Sequence, residues 1–294
     1  MKWPVPTDWP HRDVSQRIFN APHRWHVQHM GQQIGQGPVA LLLHGAGGST
    51  HSFAGLMPLL ADRFTVVAID LPGHGFTQLG ARHRSGLPPM AEDIAALCQK
   101  QGWKPDIIIG HSAGCALALE ICDTILSPRG QVPKVIGINA ALSTFEGIAG
   151  VLFPAMAKAL AALPFTAKVF SELAGKQARV QSLIGGTGSN LTPGQIDLYT
   201  RLISDRDHVD GALLMMSQWS LDALLGRLHS ISTQTLLVAG AQDKTVPATV
   251  STNAAHALPY ARSMVLEGLG HLAHEEDPNQ VFRAIIDFVD QSAS

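Results

Sequence analysis

The sequence predicts an α/β protein built on a mostly parallel, doubly wound sheet. Short continuous apolar runs recur along the chain, and such runs are typical of strands that are buried on both faces. Segments with helical spacing of apolar residues separate most of these runs, and this alternation indicates parallel strands covered by helices on both faces. The length of 294 residues is sufficient for one large α/β domain or for a core that carries an insertion.

The strands of this sheet are predicted from one alternating segment and a series of apolar runs. The alternating segment is 24–29, and the runs are 39–43, 64–69, 107–110, 135–138, 235–239 and 263–266. Helical spacing and helix-starting prolines predict helices at 52–62, 88–101, 113–126 and 281–289. Residues 1–23 are rich in Pro, His and Trp, and we expect them to form an irregular arm laid over the body.

Residues 143–225 interrupt the alternation of strands and helices. This stretch contains no convincing strand, and helical patterns cover 148–163, 167–174, 193–203 and 209–221. The sequence therefore predicts a core of residues 1–142 and 226–294, with a helical cap of residues 143–225 between two strands. An insertion at that place lies above the carboxyl ends of the strands, where open α/β sheets bind ligands, so the cap is a candidate lid.

Composition and charge exclude several classes of function. Hydrophobic residues make up 46% of the chain and charged residues 15%. The formal net charge is −2, so the chain lacks the excess of positive charge that nucleic-acid binding requires. The amino terminus lacks the apolar core of a signal peptide. The most apolar window, 148–165, contains Pro154, Lys158 and Pro164, which argues against a transmembrane segment. We expect a cytoplasmic protein, and peripheral contact with a membrane surface stays open.

The cysteines and histidines indicate neither disulfides nor a metal centre. The three cysteines, Cys98, Cys115 and Cys122, are odd in number and have no paired spacing, which favours reduced thiols in the cytosol. The 14 histidines include no H-E-x-x-H arrangement, and no C-x-x-C pair accompanies them. No metal site and no cofactor are therefore predicted.

Ser112 is the strongest candidate nucleophile. It lies in the segment Gly110-His111-Ser112-Ala113-Gly114, between the predicted strand 107–110 and the predicted helix. A strand that turns sharply into a helix holds a serine exposed in a strained conformation, and the flanking glycines leave room for the turn. The motif is weak by itself, so the assignment depends on partners elsewhere in the chain.

Asp243 and His271 are the predicted partners of Ser112. A serine nucleophile needs a base to take its proton and an acid to orient that base. Asp243 follows the predicted strand 235–239, and His271 follows the last predicted strand, so both belong to loops at strand ends. Alternatives stay open at this point: Glu146 or Asp222 as the acid, and His274 as the base.

Two backbone N–H groups are the expected oxyanion donors. Ala113 directly follows the nucleophile, and Ala46 lies in the loop His44-Gly45-Ala46-Gly47-Gly48 after the strand 39–43. The glycines let this loop approach a reacting carbonyl closely. The loop lacks both G-x-G-x-x-G and a Gly-Lys-Ser/Thr ending, which disfavours a nucleotide site.

A bulky apolar ligand is predicted from the side chains that surround these groups. The residues expected to line the pocket are His44, Gly45, His111, Phe153, Met156, Met215, Met216 and Trp219. Aromatic and methionine side chains supply adaptable apolar surface. The alternative is that most of the apolar members pack the cap onto the core.

Taken together, the motifs resemble the α/β-hydrolase superfamily. The strings HGAGG, DLPGHG, GHSAG, the Asp243 loop and GLGH occur in the superfamily's order, and the resemblance covers residues 24–292. It implies an α/β-hydrolase fold with a helical cap inserted after the sixth strand, and a Ser112–His271–Asp243 triad. An aspartate at position 112 would have indicated a dehalogenase or an epoxide hydrolase.

A narrower resemblance is to the BchO-type magnesium-chelatase accessory hydrolases of bacteriochlorophyll biosynthesis. It is carried by DWPHRD, RWHVQ, HGAGGSTHSF, FTVVAIDLPGHGFT, GTGSNL, HVDGALLMMSQW and GLGHLAHEEDP. The resemblance implies a role near magnesium insertion into protoporphyrin, with magnesium chelatase subunits as partners, but no known reaction. By analogy with that pathway, a tetrapyrrole ester would suit the pocket.

Three functional hypotheses follow from the sequence. The first is a serine hydrolase with esterase-type chemistry. The second is an accessory protein that binds a tetrapyrrole or assists magnesium chelatase, with the triad secondary. The third is a cofactor-free haloperoxidase or a C–C bond hydrolase, which would use the same triad.

Overall fold

A single eight-stranded sheet organises the part of the chain that the computed structural model describes, residues 1–128, 130–143 and 176–291. Its strands are β1 (Ser15–Asn20), β2 (His23–Met30), β3 (Val39–Leu43), β4 (Thr65–Ile69), β5 (Ile107–His111), β6 (Lys134–Ile138), β7 (Thr235–Gly240) and β8 (Ala261–Leu266). Their order across the sheet is β1-β2-β4-β3-β5-β6-β7-β8. β2 pairs antiparallel with β1 and β4, and every other neighbouring pair is parallel. The predicted α/β class and mostly parallel sheet are confirmed.

Helices cover both faces of this sheet. Those in the described residues are α1 (Leu56–Ala61), α2 (Leu87–Gln101), α3 (Ala113–Ile121), α4 (Gln177–Gly186), α5 (Pro193–Ser204), α6 (Arg206–Gln218), α7 (Asp222–Gly226), α8 (Ala248–Ala257), α9 (Ala273–Glu276) and α10 (Pro278–Gln291). α4, α7 and α8 were not expected from the sequence. Within these residues no helix combines the length and apolarity needed to cross a bilayer.

The buried strands divide their side chains between two hydrophobic clusters. In β3, Leu41 and Leu43 pack in the cluster that includes α2 and α3, whereas Ala40 and Leu42 pack in the cluster that includes α1 and α10. Successive side chains of a strand point to opposite faces of a sheet. A strand covered on both faces must therefore be apolar at every position, which explains the continuous apolar runs.

Part of the amino-terminal arm forms a strand. Residues 15–20 were expected to be irregular, but they form β1, which pairs with β2 from Ser15↔Gln28 to Asn20↔His23. The prediction was wrong because β1 is an edge strand with no fully buried residue, so it carries no continuous apolar run. The rest of the arm is anchored by Val5 and Trp9, which are buried in a cluster with residues of α5.

The helix after Ser112 is shorter than the sequence predicts. The expected helix 113–126 ends at Ile121. Both the backbone N–H and the hydroxyl of Thr124 donate to the carbonyl of Ile121, at 2.9 and 2.8 Å. The Ile121 carbonyl, which also accepts the N–H of Ile125 at 3.2 Å, is thus shared with a local turn at which α3 stops.

The segment between β6 and β7 is helical over its described part. α4, α5, α6 and α7 all lie between these two strands in the chain, and α5 and α6 overlap the helical patterns expected at 193–203 and 209–221. The expected helices 148–163 and 167–174, with Phe153 and Met156, lie outside the described residues. The division into a core and a cap of residues 143–225 stays a prediction.

Candidate active site

Ser112 occupies the turn between β5 and α3 in a strained conformation. Its φ of 51° and ψ of −116° are unusual for a residue with a side chain. A Cβ at Gly110 would come 2.3 Å from the carbonyl oxygen of Gly114, and a Cβ at Gly114 would come 2.1 Å from that of Leu43. The two glycines therefore permit the close backbone packing that this turn requires.

Asp243 and His271 form a hydrogen-bonded pair at the neighbouring strand ends. His271 Nδ1 lies 2.8 Å from Asp243 Oδ2. The other carboxylate oxygen, Oδ1, accepts the N–H groups of Thr245 and Val246 at 2.8 Å each. Burial opposes ionisation, but the bond from His271, its charge and the other donors outweigh burial and lower the pKa of Asp243. An ionised Asp243 accepts at Oδ2, so His271 holds its proton on Nδ1 and leaves Nε2 free to accept.

Asn139 is a site residue that the sequence analysis missed. It directly follows β6 and has a φ of 48°. Its side-chain Nδ2 donates to Asp243 Oδ2 at 2.8 Å and to the carbonyl of Gly270 at 3.2 Å. Asn139 thus joins the acid to the residue before His271. The sequence does show a polar residue at the end of a buried strand. It does not show that this residue bonds to Asp243, which lies 104 positions away in the chain.

His111 brings the Ser112 turn against the His271 loop. Its Nε2 lies 2.9 Å from the carbonyl of His271, to which it donates, and the two rings are 4.9 Å apart. Burial, followed by the charges of nearby histidines, lowers the pKa of His111 well below its ordinary value. Among the described residues Ser112 Oγ makes no hydrogen bond, so the structure holds Ser112 beside the His271 loop without a formed Ser–His bond.

Of the alternatives, Asp222 as the acid and His274 as the base fit this geometry less well. His274 is fully buried 4.5 Å from the His111 ring, and neither of its nitrogens has a partner among the described residues. Burial lowers the pKa of His274 to about 3. Asp222 is exposed on α7 and accepts a hydrogen bond from the Ser220 hydroxyl. Glu146 lies outside the described residues.

The predicted oxyanion loop forms a tight turn against Ser112. Gly48 N–H donates to the carbonyl of Gly45 at 3.1 Å, and Gly47 has a φ of +75°, as the third position of a type II turn requires. A Cβ at Gly45 would lie 3.0 Å from Ser112 Cβ, so the turn and the serine are neighbours. We call residues 45–48 the oxyanion turn. The N–H groups of Ala46 and Ala113 donate to no residue that the structure describes.

His44 fixes the start of the oxyanion turn. The N–H of Leu71 donates to His44 Nε2 at 2.9 Å, which makes Nε2 the acceptor and places the ring proton on Nδ1. Nδ1 then donates to the carbonyl of Gly45 at 2.7 Å. Burial, the largest influence, lowers the pKa of His44 to about 3, so the ring is neutral. Both ring nitrogens of this predicted pocket residue are occupied by backbone groups.

The apolar pocket residues lie in different environments. Met215 is buried in the cluster that includes α2 and α3, and Trp219 packs against the same cluster. Met216, by contrast, is 43% exposed. The role of these three side chains in lining a pocket stays a prediction.

Comparison with known proteins agrees with the fold and the motifs. Residues 38–278 match the alpha/beta hydrolase fold family. The chain is 45% identical over 97% of its length to the magnesium-chelatase 30 kDa subunit of Rhodobacter capsulatus, of which it covers 98%. It is 26% identical over 87% of its length to the pimeloyl-[acyl-carrier protein] methyl ester esterase of Xanthomonas axonopodis pv. citri, of which it covers 96%.

Solved structures of other proteins share the fold of this chain. An alpha/beta hydrolase fold protein from Burkholderia ambifaria superposes with a TM-score of 0.76 at 20% identity, covering 94% of this chain and 98% of the other. Both resemblances noted in the sequence are confirmed. The chain therefore belongs to the alpha/beta hydrolase fold family and is similar over nearly its whole length to a magnesium-chelatase 30 kDa subunit.

Proposed function

We propose that this protein is a serine hydrolase with esterase-type chemistry. The observation that carries the proposal is the strained Ser112 turn packed beside an ordered His271–Asp243 pair. The N–H groups of Ala46 and Ala113, which donate to none of the described residues, are available to bind a developing oxyanion. The similarity to a methyl ester esterase supports this class of reaction at the level of the family.

The chemistry follows from the hydrogen-bond directions. His271 Nε2 takes the proton of Ser112 as its oxygen attacks the ester carbonyl, and Asp243 stabilises the imidazolium that forms. The oxyanion is bound by the N–H groups of Ala46 and Ala113. His271 then gives its proton to the leaving alkoxide, and water activated by the same histidine releases the acid.

The proposed substrate is a bulky apolar ester, and a tetrapyrrole methyl ester is the specific candidate. The support is the similarity to a magnesium-chelatase 30 kDa subunit together with the methionine and tryptophan side chains of α6 and the residue after it. A panel that compares porphyrin methyl esters with short p-nitrophenyl esters tests this choice. We expect a higher kcat/KM for the porphyrin esters, and a clear preference for short esters would contradict it.

Labelling with a fluorophosphonate probe tests the proposed nucleophile. We expect the wild-type chain to form a covalent adduct on the peptide that contains Ser112, and we expect Ser112→Ala to form none. Ser220→Ala, a change at an exposed serine near α7, is the matched control and should label like the wild type. A folded wild-type protein that never labels would overturn the proposal.

A second candidate function is an accessory role with magnesium chelatase. It is favoured by the name of the 45% identical relative, a chelatase subunit. The discriminating experiment replaces the wild-type protein in cells with the Ser112→Ala variant and measures the amount of bacteriochlorophyll. Unchanged pigment would favour binding or assembly, whereas a loss of pigment with normal protein levels would favour catalysis.

A further inference from the structure

His208 connects α6 to the oxyanion turn and to the loop that follows β4. The N–H of Gly75 donates to His208 Nδ1 at 3.0 Å. His208 Nε2 lies 3.1 Å from the carbonyl oxygen of Gly47, in the oxyanion turn. The side chain is only 2% exposed, so water does not compete for these two bonds.

The two partners of His208 determine which nitrogen carries its proton. A backbone N–H can only donate, so Nδ1 is the acceptor from Gly75. The proton is therefore on Nε2, which donates to Gly47. Burial, followed by the charge of nearby His74, lowers the pKa of His208 well below its ordinary value, and the ring stays neutral.

The bonds of His208 mirror those of His44 at the opposite end of the turn. His44 donates to Gly45 and accepts from Leu71, whereas His208 donates to Gly47 and accepts from Gly75. Each histidine thus joins one carbonyl of the oxyanion turn to one N–H of the loop after β4. The difference is that His44 directly follows β3, while His208 comes from the segment between β6 and β7.

Contacts along α6 hold His208 in place. The Asp205 side chain accepts the N–H of His208 at 2.9 Å and caps the helix. One turn later, a Cβ at Gly211 would lie 2.1 Å from the carbonyl oxygen of Gly73, so α6 touches the loop after β4 backbone to backbone. His208 and Gly211 lie three residues apart, on one face of the helix.

We propose that His208 is a positioning residue for the oxyanion hole. Through it α6 holds the Gly47–Gly48 peptide, whose N–H bonds the Gly45 carbonyl of the peptide that presents the Ala46 N–H. The inference rests on the proposed hydrolase function, because it assigns Ala46 to oxyanion binding. His208 touches no reacting atom. Its bond to Gly47 holds the turn rigid, so that the Ala46 N–H needs no reorientation when the oxyanion forms.

The experiment compares His208→Leu, His208→Gln and Asp210→Asn with the wild type. Leucine removes both hydrogen bonds, whereas glutamine keeps one donor and one acceptor. Asp210 lies on the same helix and binds Arg82 at the surface, so its variant loosens α6 docking without touching the oxyanion turn. The readouts are the rate of fluorophosphonate labelling, kcat and KM on p-nitrophenyl butyrate, and the melting temperature.

We expect His208→Leu to lower the labelling rate and kcat by about 10- to 100-fold, somewhat less than the loss of an oxyanion donor itself, with KM within about 2-fold. His208→Gln should recover part of that loss, and Asp210→Asn should stay within about 2-fold of the wild type. Should His208→Leu fail to fold, the glutamine variant and the ring-nitrogen NMR shifts of the wild type decide the question. Neutral His208 with its proton on Nε2 is expected.

Several outcomes would overturn the inference. An unchanged labelling rate in folded His208→Leu, an equal loss in Asp210→Asn, or a glutamine variant as slow as leucine would each contradict a positioning role. A proton found on Nδ1 of His208 would do the same. A wild-type chain that does not label at all would instead remove the proposed hydrolase function, so the two failures are distinguishable.

Discussion

The two halves of the candidate site are held in place by different physics. The acid–base half, made of Asn139, Asp243 and His271, centres on a carboxylate that accepts four hydrogen bonds. The oxyanion half, made of the oxyanion turn with His44 and His208, contains only neutral rings and backbone groups. The first half therefore depends on the placement of a charge, and the second depends on geometry alone.

The segment between β6 and β7 contacts both halves at separate places. Near the acid–base half, Ser189 Oγ accepts the N–H of Leu272 at 2.8 Å, and the Thr187 carbonyl accepts the N–H of Lys244 at 3.0 Å. Near the oxyanion half, α6 supplies His208. Substitutions at one of these contacts should therefore disturb one half of the site and leave the other half in place.

The largest expected effect is the loss of charge from the acid–base half. Asp243→Asn leaves no anion to hold the proton on His271 Nδ1, and we expect kcat to fall by about 10⁴-fold while the fold is retained. Asp222→Asn, at an exposed aspartate on α7, is the control and should leave kcat unchanged. Steady-state kinetics on an ester substrate measures both. Comparable losses in the two variants would refute the assignment of the acid.

The next effect concerns a carboxyl beside the acid–base half. Glu275, on α9, is buried and accepts the Tyr199 hydroxyl at 2.6 Å. Burial, the largest influence, raises the pKa of Glu275 to about 8, although the Tyr199 bond opposes the rise. Between the ordinary pKa of a glutamate and about 8, the folded chain binds more protons than the unfolded chain, so this group lowers stability as pH rises.

Glu275→Gln removes that titration and keeps an acceptor for Tyr199. We expect the variant to match the wild type in free energy of unfolding near pH 5 and to exceed it above pH 8, by on the order of a few kcal/mol. Urea unfolding at a series of pH values measures the difference, with the exposed Glu92→Gln as control. A difference that does not grow with pH would show that Glu275 is not the titrating group.

The oxyanion half is tested by forcing α6 away from it. Gly211→Ala places a methyl group 2.1 Å from the Gly73 carbonyl, and we expect a cost of about 1–3 kcal/mol in stability together with slower labelling of Ser112. Gly185→Ala is the matched change in α4, where no atom of the described residues lies within 4 Å of the new methyl group. Because alanine favours helices, Gly185→Ala should be neutral or stabilising by up to about 1 kcal/mol. Thermal unfolding that ranks the two variants equally would contradict the close contact.

The smallest effect is expected at Asn139, the other side chain that donates to the Asp243 carboxylate besides His271. Asn139→Gly preserves the freedom to adopt a positive φ but removes the amide that binds Asp243. We expect kcat to fall by about 10-fold, because His271 and two backbone N–H groups still hold the carboxylate. Kinetics and melting temperature together separate this loss from simple unfolding. A variant with full activity would show that Asn139 serves the fold alone.

Local sequence patterns predicted the parts of the site that local chemistry controls. The glycines around Ser112 and the position of Asp243 after a buried run are visible within a few residues, and the structure shows the strained turn and the His271–Asp243 bond. The roles of Asn139 and His208 were not predictable in this way. Their partners lie 104 and 161 positions away in the chain.

The sequence by itself determined the buried strands, the serine turn and the order of the three triad candidates, because burial on two faces and tight turns restrict which residues can occupy neighbouring positions. Tertiary structure alone decided that residues 15–20 pair as an edge strand and that Asp243 bonds to His271 rather than to His274. It also decided where the ring protons of His44 and His208 lie. The physical reason is that a tautomer, or a hydrogen-bond partner, is fixed by a group that the fold brings near in space. The residues next to it in the sequence do not identify that group.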